Sequence, residues 1–146
     1  MIIRVTTDNR TTIHPYPTGA FREKHDVLTG LIGNGCDLVE HVRPRRLYTF
    51  WKVSTDIESG KMACILVDES GALKENQVNE LASYLYGYTI YGNVLFVGEG
   101  YVDGEPDFKG LPEDVAMNLM LRIEDFLNKK KAATKDDQFQ NNTFTE

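Results

Sequence analysis

The spacing of apolar positions changes period several times along the chain, and each change predicts an element. Ile2 to Thr7 and Thr11 to Tyr16 are short runs rich in β-branched residues. Asp8-Asn9-Arg10 between them has turn chemistry, so the pattern predicts an opening hairpin, ended by Pro15 and Pro17. From Ala20 to Leu31 the apolar residues Phe21, Val27, Leu28 and Leu31 recur at helical intervals, until Gly33-Asn34-Gly35 stops them. Two strands are expected next, Asp37 to Val42 and Leu47 to Val53. Leu38, Val42, Tyr48 and Phe50 hold near-period-two positions around the break at Pro44. Met62 to Val67 is a continuous apolar run closed by Asp68-Glu69-Ser70-Gly71, the pattern of a central buried strand. Asn76 reads as a helix cap before Val78, Leu81, Ala82 and Leu85, with Gly87 as the stop. Asn93 to Val97 is a dense β run that continues past Gly100 into Tyr101-Val102.

The last helix carries the clearest signal. Pro112 suits a first helical position, Glu113 and Asp114 suit the positive end of the helix dipole, and Lys129 to Lys131 suit the negative end. Val115, Leu119, Ile123 and Leu127 step by four with Met120 and Phe126 beside them, which gives one stripe to pack on a sheet. Asn118, Arg122 and Asp125 then face water. Beyond Ala133 the chain has too little apolar area to offset its own entropy. The expected organisation is one α+β domain over residues 1–131 and a disordered tail over 132–146. The domain is built on a mixed or antiparallel sheet of about five to six strands, with two to three helices and the C-terminal helix packed on the sheet.

Composition narrows the function classes. At 146 residues and 41% hydrophobic, the chain is long enough for one proper core. No stretch approaches the ~20 consecutive apolar residues of a membrane span, and Met1 to Arg10 lacks signal-peptide grammar, so no membrane partner is expected. Cys36 and Cys64 are isolated and read as small buried apolar groups in a reducing compartment; the expected location is the cytoplasm, the host cell's if the chain is viral. A net charge of -6 argues against a general nucleic-acid binder, which would neutralise phosphates with clustered Lys and Arg.

Most candidate chemistry dissolves on inspection. Cys36 and His41 supply only two ligands where a structural zinc usually needs four, and no metal or cofactor is expected. Asp103-Gly104-Glu105-Pro106-Asp107 lacks the length and terminal Glu of a calcium loop and reads as a solvated turn between strand and helix. Gly30 to Gly35 follows a helix instead of a strand and reads as a helix stop, not a dinucleotide fingerprint. No nucleophile elbow or phosphate-binding loop is present, so no catalytic residue is assigned. Two features stand above this background. Arg43-Pro44-Arg45-Arg46 puts forked donors suited to carboxylate or phosphate in a connection, and Tyr84, Tyr86, Tyr88 and Tyr91 crowd into eight positions. Arg43, Arg45 and Arg46 with Tyr84, Tyr91 and Asn93 are the expected ligand set, holding a small nucleotide by phosphate pairing and base stacking if folding brings them together.

Cys36-Asp-Leu-Val-Glu-His-Val-Arg43, Ile65-Leu-Val-Asp-Glu-Ser-Gly71, Leu73-Lys74, Asn79 and Tyr91-Gly-Asn-Val-Leu-Phe-Val-Gly98 together resemble an uncharacterised domain-of-unknown-function family of small phage and mobile-element proteins. The resemblance covers about residues 20 to 100; the Arg45 to Lys61 stretch and the C-terminal helix depart from the usual pattern. More distantly, the chain is similar in kind to anti-defence proteins of the Thoeris type. The resemblance implies a non-enzymatic accessory protein that acts by binding, with counter-defence as its purpose. It would sequester a nucleotide immune signal or dock on a host defence protein, and a homo-oligomer is left open. The alternative is a small metabolic or nucleotide-processing enzyme using the Asp103, Glu105 and Asp107 loop or His41 in acid-base work.

Overall fold

A computed structural model describes the backbone of residues 1–144 and the side chains of residues 1–133. The fold is α+β. Strands β1 (Ile2–Val5), β2 (Thr11–His14), β3 (Val39–Val42), β4 (Met62–Asp68), β5 (Val94–Val102) and β6 (Glu105–Lys109) form one open sheet in which every pairing is antiparallel. The order β2-β1-β5-β4-β3 places β4 and β5 at the centre, and all seven residues of β4 are buried. β1 takes the other side of β5 at Val94 to Phe96 and β6 takes it at Gly98 to Val102, and the Leu111 amide donates to the Met1 carbonyl (2.8 Å) where the two meet.

Helices α1 (Phe21–Ile32), α2 (Arg45–Thr49), α3 (Glu80–Tyr86) and α4 (Glu113–Phe144) cover the two faces unequally. Because side chains alternate along a strand, Ile3, Val5, Ile65, Val67, Val94 and Phe96 point to one side. There they meet Leu47 of α2, Leu81 and Leu85 of α3, and Leu119, Ile123 and Leu127 of α4. The C-terminal helix thus packs on the sheet through the four-residue stripe its sequence predicts. The other side carries Ile2, Cys64, Leu66, Leu95 and Val97, covered by Leu28 and Ile32 of α1. Both cysteines are free and buried.

Three local expectations are corrected. The strand expected over Leu47 to Val53 is instead helix α2 and an irregular stretch. Leu47 and Trp51, four apart, are the buried pair, while Phe50 on the supposed period-two face is 57% exposed. The cap of α3 is Asn79, not Asn76. Its carboxamide oxygen accepts from Ala82 N (3.1 Å) and its Nδ2 donates to the carbonyls of Val5 and Gly92, so it ties β1 to the start of β5. The acidic turn is not a link to the last helix but the tip of the β5–β6 hairpin, where Asp103 (φ 51°) and Gly104 (φ 81°) take the two left-handed positions such a turn requires. In α1 the buried pair is Leu28 and Ile32, whereas Phe21 and Val27 are exposed. Four helices therefore stand where two to three were expected, α2 being the addition. The tail expected over 132–146 lies almost wholly outside the residues whose side chains are described.

Candidate functional site

Helix α2 begins directly after Pro44, whose missing N–H costs nothing at a helix start. This swings Arg45 and Arg46 toward the end of α3, where Gly87 closes the helix in a left-handed conformation (φ 90°). Arg46 Nη1 donates to the Tyr84 carbonyl (2.8 Å), and its guanidinium lies over the rings of Phe50 (5.7 Å) and Tyr84 (5.4 Å). Tyr86 and Tyr88 meet edge to face at 5.7 Å on the two sides of Gly87. Arg45, Arg46, Thr49, Phe50, Tyr86 and Tyr88 surround a groove of about 440 Å³. Among the described residues no carboxylate lines it, and no ion pair or hydrogen bond involves the Arg45 guanidinium. Tyr84 forms the wall toward a second hollow of about 700 Å³ between α3 and α4, lined also by Trp51, Arg122, Asp125, Phe126 and Lys129.

Arg43 goes elsewhere. On the α1 side of the sheet its Nη2 donates to Glu99 Oε1 (2.8 Å) and its Nε to Oε2 (3.1 Å), while His41 Nε2 lies 3.3 Å from Oε2. Glu99 is 5% exposed. Burial pushes its carboxyl up, but the Arg43 hydrogen bonds and the neighbouring His41 outweigh that and hold it below the usual carboxylate range. Cys64 adjoins it, and burial first, then the Glu99 carboxylate, pushes that thiol far up. The ligand atoms of His41, Cys64 and Glu99 all lie within 4.8 Å of one another, the one metal-capable cluster among the described residues. Phe108 packs against the His41 ring edge to face at 4.9 Å.

Tyr91 and Asn93 join neither site. Tyr91 forms a bridge with Val78 behind α3. Asn93 pins backbone, its Nδ2 donating to the Ile32 carbonyl (2.9 Å) and its Oδ1 accepting from Thr7 N (3.1 Å). Of the six expected ligand residues, the structure brings Arg45 and Arg46 into one groove with Tyr84 at its border. Arg43, Tyr91 and Asn93 are spent on holding the fold. Asp103, Glu105 and Asp107 are exposed along the hairpin. Sequence reasoning left Phe50, Tyr86 and Tyr88 out of the ligand set, although Tyr-Gly-Tyr around a helix stop presents two rings on one end. It also passed over Glu99, a carboxylate inside the apolar run of β5. Comparison with family models, with curated proteins and with solved structures finds no match to this chain.

Proposed function

We propose that this protein acts by binding and not by catalysis, and that its ligand is a phosphorylated small molecule with an aromatic ring, a nucleotide, held in the α2–α3 groove. One observation carries the reading. In a chain of net charge -6, two guanidinium groups and the rings of Phe50, Tyr86 and Tyr88 line one hollow, with no carboxylate among the described lining residues. Forked Arg donors match phosphate oxygens, and a base stacked on a tyrosine contributes roughly 1 to 3 kcal/mol. The resemblance of residues 20 to 100 to small phage and mobile-element proteins supports a counter-defence purpose, the sequestration of a nucleotide immune signal. Docking on a host defence protein is the second reading, favoured by Phe50 and Tyr88 at the rim, 57% and 76% exposed.

Calorimetry with a panel of cyclic and linear nucleotides separates the two. Wild type should release heat with at least one of them. Arg45→Glu should weaken that binding at least about tenfold without lowering the melting temperature, since Arg45 is exposed and its guanidinium is unpartnered among the described residues. No heat with any nucleotide would sink the small-ligand reading and leave protein docking.

A further inference from the structure

Three adjacent strands converge on one polar spot that the groove does not use. β3, β4 and β5 pair so that Cys64 lies opposite Val97 and Met62 opposite Glu99, which puts Cys64 and Glu99 on the α1 side of the sheet, with His41 of β3 reaching the same carboxylate. A buried carboxylate already gripped at both oxygens by Arg43 needs no imidazole and no thiol to neutralise it, yet both stand beside it. We infer that His41, Cys64 and Glu99 form a zinc(II) site with nitrogen, sulfur and oxygen donors. This inference is independent of the groove and of any nucleotide.

The geometry fits the ion. Zinc bound tetrahedrally to imidazole and carboxylate holds the two ligand atoms roughly 3.3 to 3.5 Å apart. His41 Nε2 and Glu99 Oε2 are 3.3 Å apart before any metal arrives. Closing the cluster from its 4.8 Å limit onto an ion asks for a movement of roughly 1 Å. The mixed donor set suits a borderline-soft cation better than calcium or magnesium, which take oxygen ligands. The surroundings match a metal ligand's supports. Arg43 Nη2 on Oε1 orients the carboxylate while Oε2 faces His41, and the Phe108 ring fixes the imidazole.

Binding needs no redox partner. The Cys64 S–H bond breaks, its proton goes to solvent, and the sulfur electron pair forms the bond to zinc. The proton that His41 Nε2 directs at Glu99 Oε2 leaves to solvent, the ring keeps one proton on Nδ1 and offers the Nε2 lone pair, Glu99 Oε2 gives up its contacts to His41 and Arg43 Nε, and water takes the fourth position. His41, a third exposed at its side chain, is the door, since Cys64 is fully buried.

The test uses the full chain, freed of metal by a chelator and titrated with cobalt(II) as the spectroscopic stand-in, followed by zinc. A thiolate-to-cobalt charge-transfer absorption should saturate at one equivalent and vanish when zinc is added. Cys64→Ser should abolish it and Cys36→Ser should keep it. His41→Ala, a change at a partly exposed side chain, should weaken cobalt binding at least about tenfold with the circular dichroism unchanged. Absence of the absorption in wild type would overturn the inference, as would its loss in Cys36→Ser or undiminished affinity in His41→Ala. Should Cys64→Ser fail to fold, the His41 and Cys36 variants decide.

Discussion

The two faces of the sheet have been put to opposite uses. On the side of α2, α3 and α4 the buried layer is apolar from Ile3 to Leu127, apart from the fully bonded Asn79 at the head of α3. On the side of α1 the apolar layer is much the smaller, and where it ends at Cys64, beyond the reach of Leu28 and Ile32, the sheet carries Glu99, His41 and Arg43. Apolar burial yields roughly 25 cal/mol for each Å² removed from water, so the three-helix side supplies most of the stability. The α1 side holds a buried charge that contributes little net stability but that only a compensating set of partners can tolerate. A sheet anchored on one face leaves the other free to host polar chemistry.

That contrast can be broken from either side. The largest expected effect is on the three-helix face: Leu119→Ala should cost about 2 to 5 kcal/mol in urea unfolding, because the residue is fully buried against the sheet. A near-neutral result would mean that α4 is not seated there. Asn79→Ala comes next at about 2 to 3 kcal/mol, because it removes the cap and leaves the Val5 and Gly92 carbonyls without their donor. On the α1 face Arg43→Ala should cost roughly 1 to 3 kcal/mol at neutral pH, since Glu99 keeps His41 but loses its forked partner. This cost has a sign in pH. The folded state holds Glu99 below its ordinary value, so its contribution is present above the unfolded value near about 4.3 and is lost as pH falls through the lower folded one. The gap between wild type and Arg43→Ala in chelator-treated protein should therefore narrow below pH 4.3 or so. Unfolding curves at a series of pH values would show it; a gap that widens on acidification would contradict the ion-pair account. Smallest of all, Phe21→Ser should stay within about 0.5 kcal/mol of wild type, because that ring is 84% exposed despite its place in the helical pattern.

How far the residues announced this architecture depends on how strongly each segment repeats. Val115, Leu119, Ile123 and Leu127 give about three turns of agreement, and Met62 to Val67 is apolar without interruption, so helix and buried strand were both legible. Residues 45–53 were not. Their apolar members fit period two and period four over so short a stretch that only packing decides, and Leu47 and Trp51 meeting α3 and the sheet chose the helix. Asn76 and Asn79 are both good caps; the one that could also reach Val5 and Gly92 across the chain won. The hairpin at Asp103-Gly104 is signalled by its dipeptide, while Glu105 and Asp107 beside it give the same stretch the composition of an acidic loop. Site residues were half legible for a similar reason. Arg45 and Arg46 stand out as a cluster, but their separation from Arg43 follows from Pro44 ending one element and opening another. The Glu99 cluster depends on strand register, which no local pattern contains.

Trp51 is the only tryptophan in the chain; it is almost fully buried just past the end of α2, where it meets Tyr84 of α3 and the flank of α4. The molecule thus carries a single indole, which light beyond the absorption band of its seven tyrosines excites alone, at the seam on which the whole three-helix face depends. Emission should be blue in the native state and shift red as soon as α4 lifts and water reaches the indole. That makes one wavelength a gauge of the seam alone, readable in turbid or crowded samples without any attached dye.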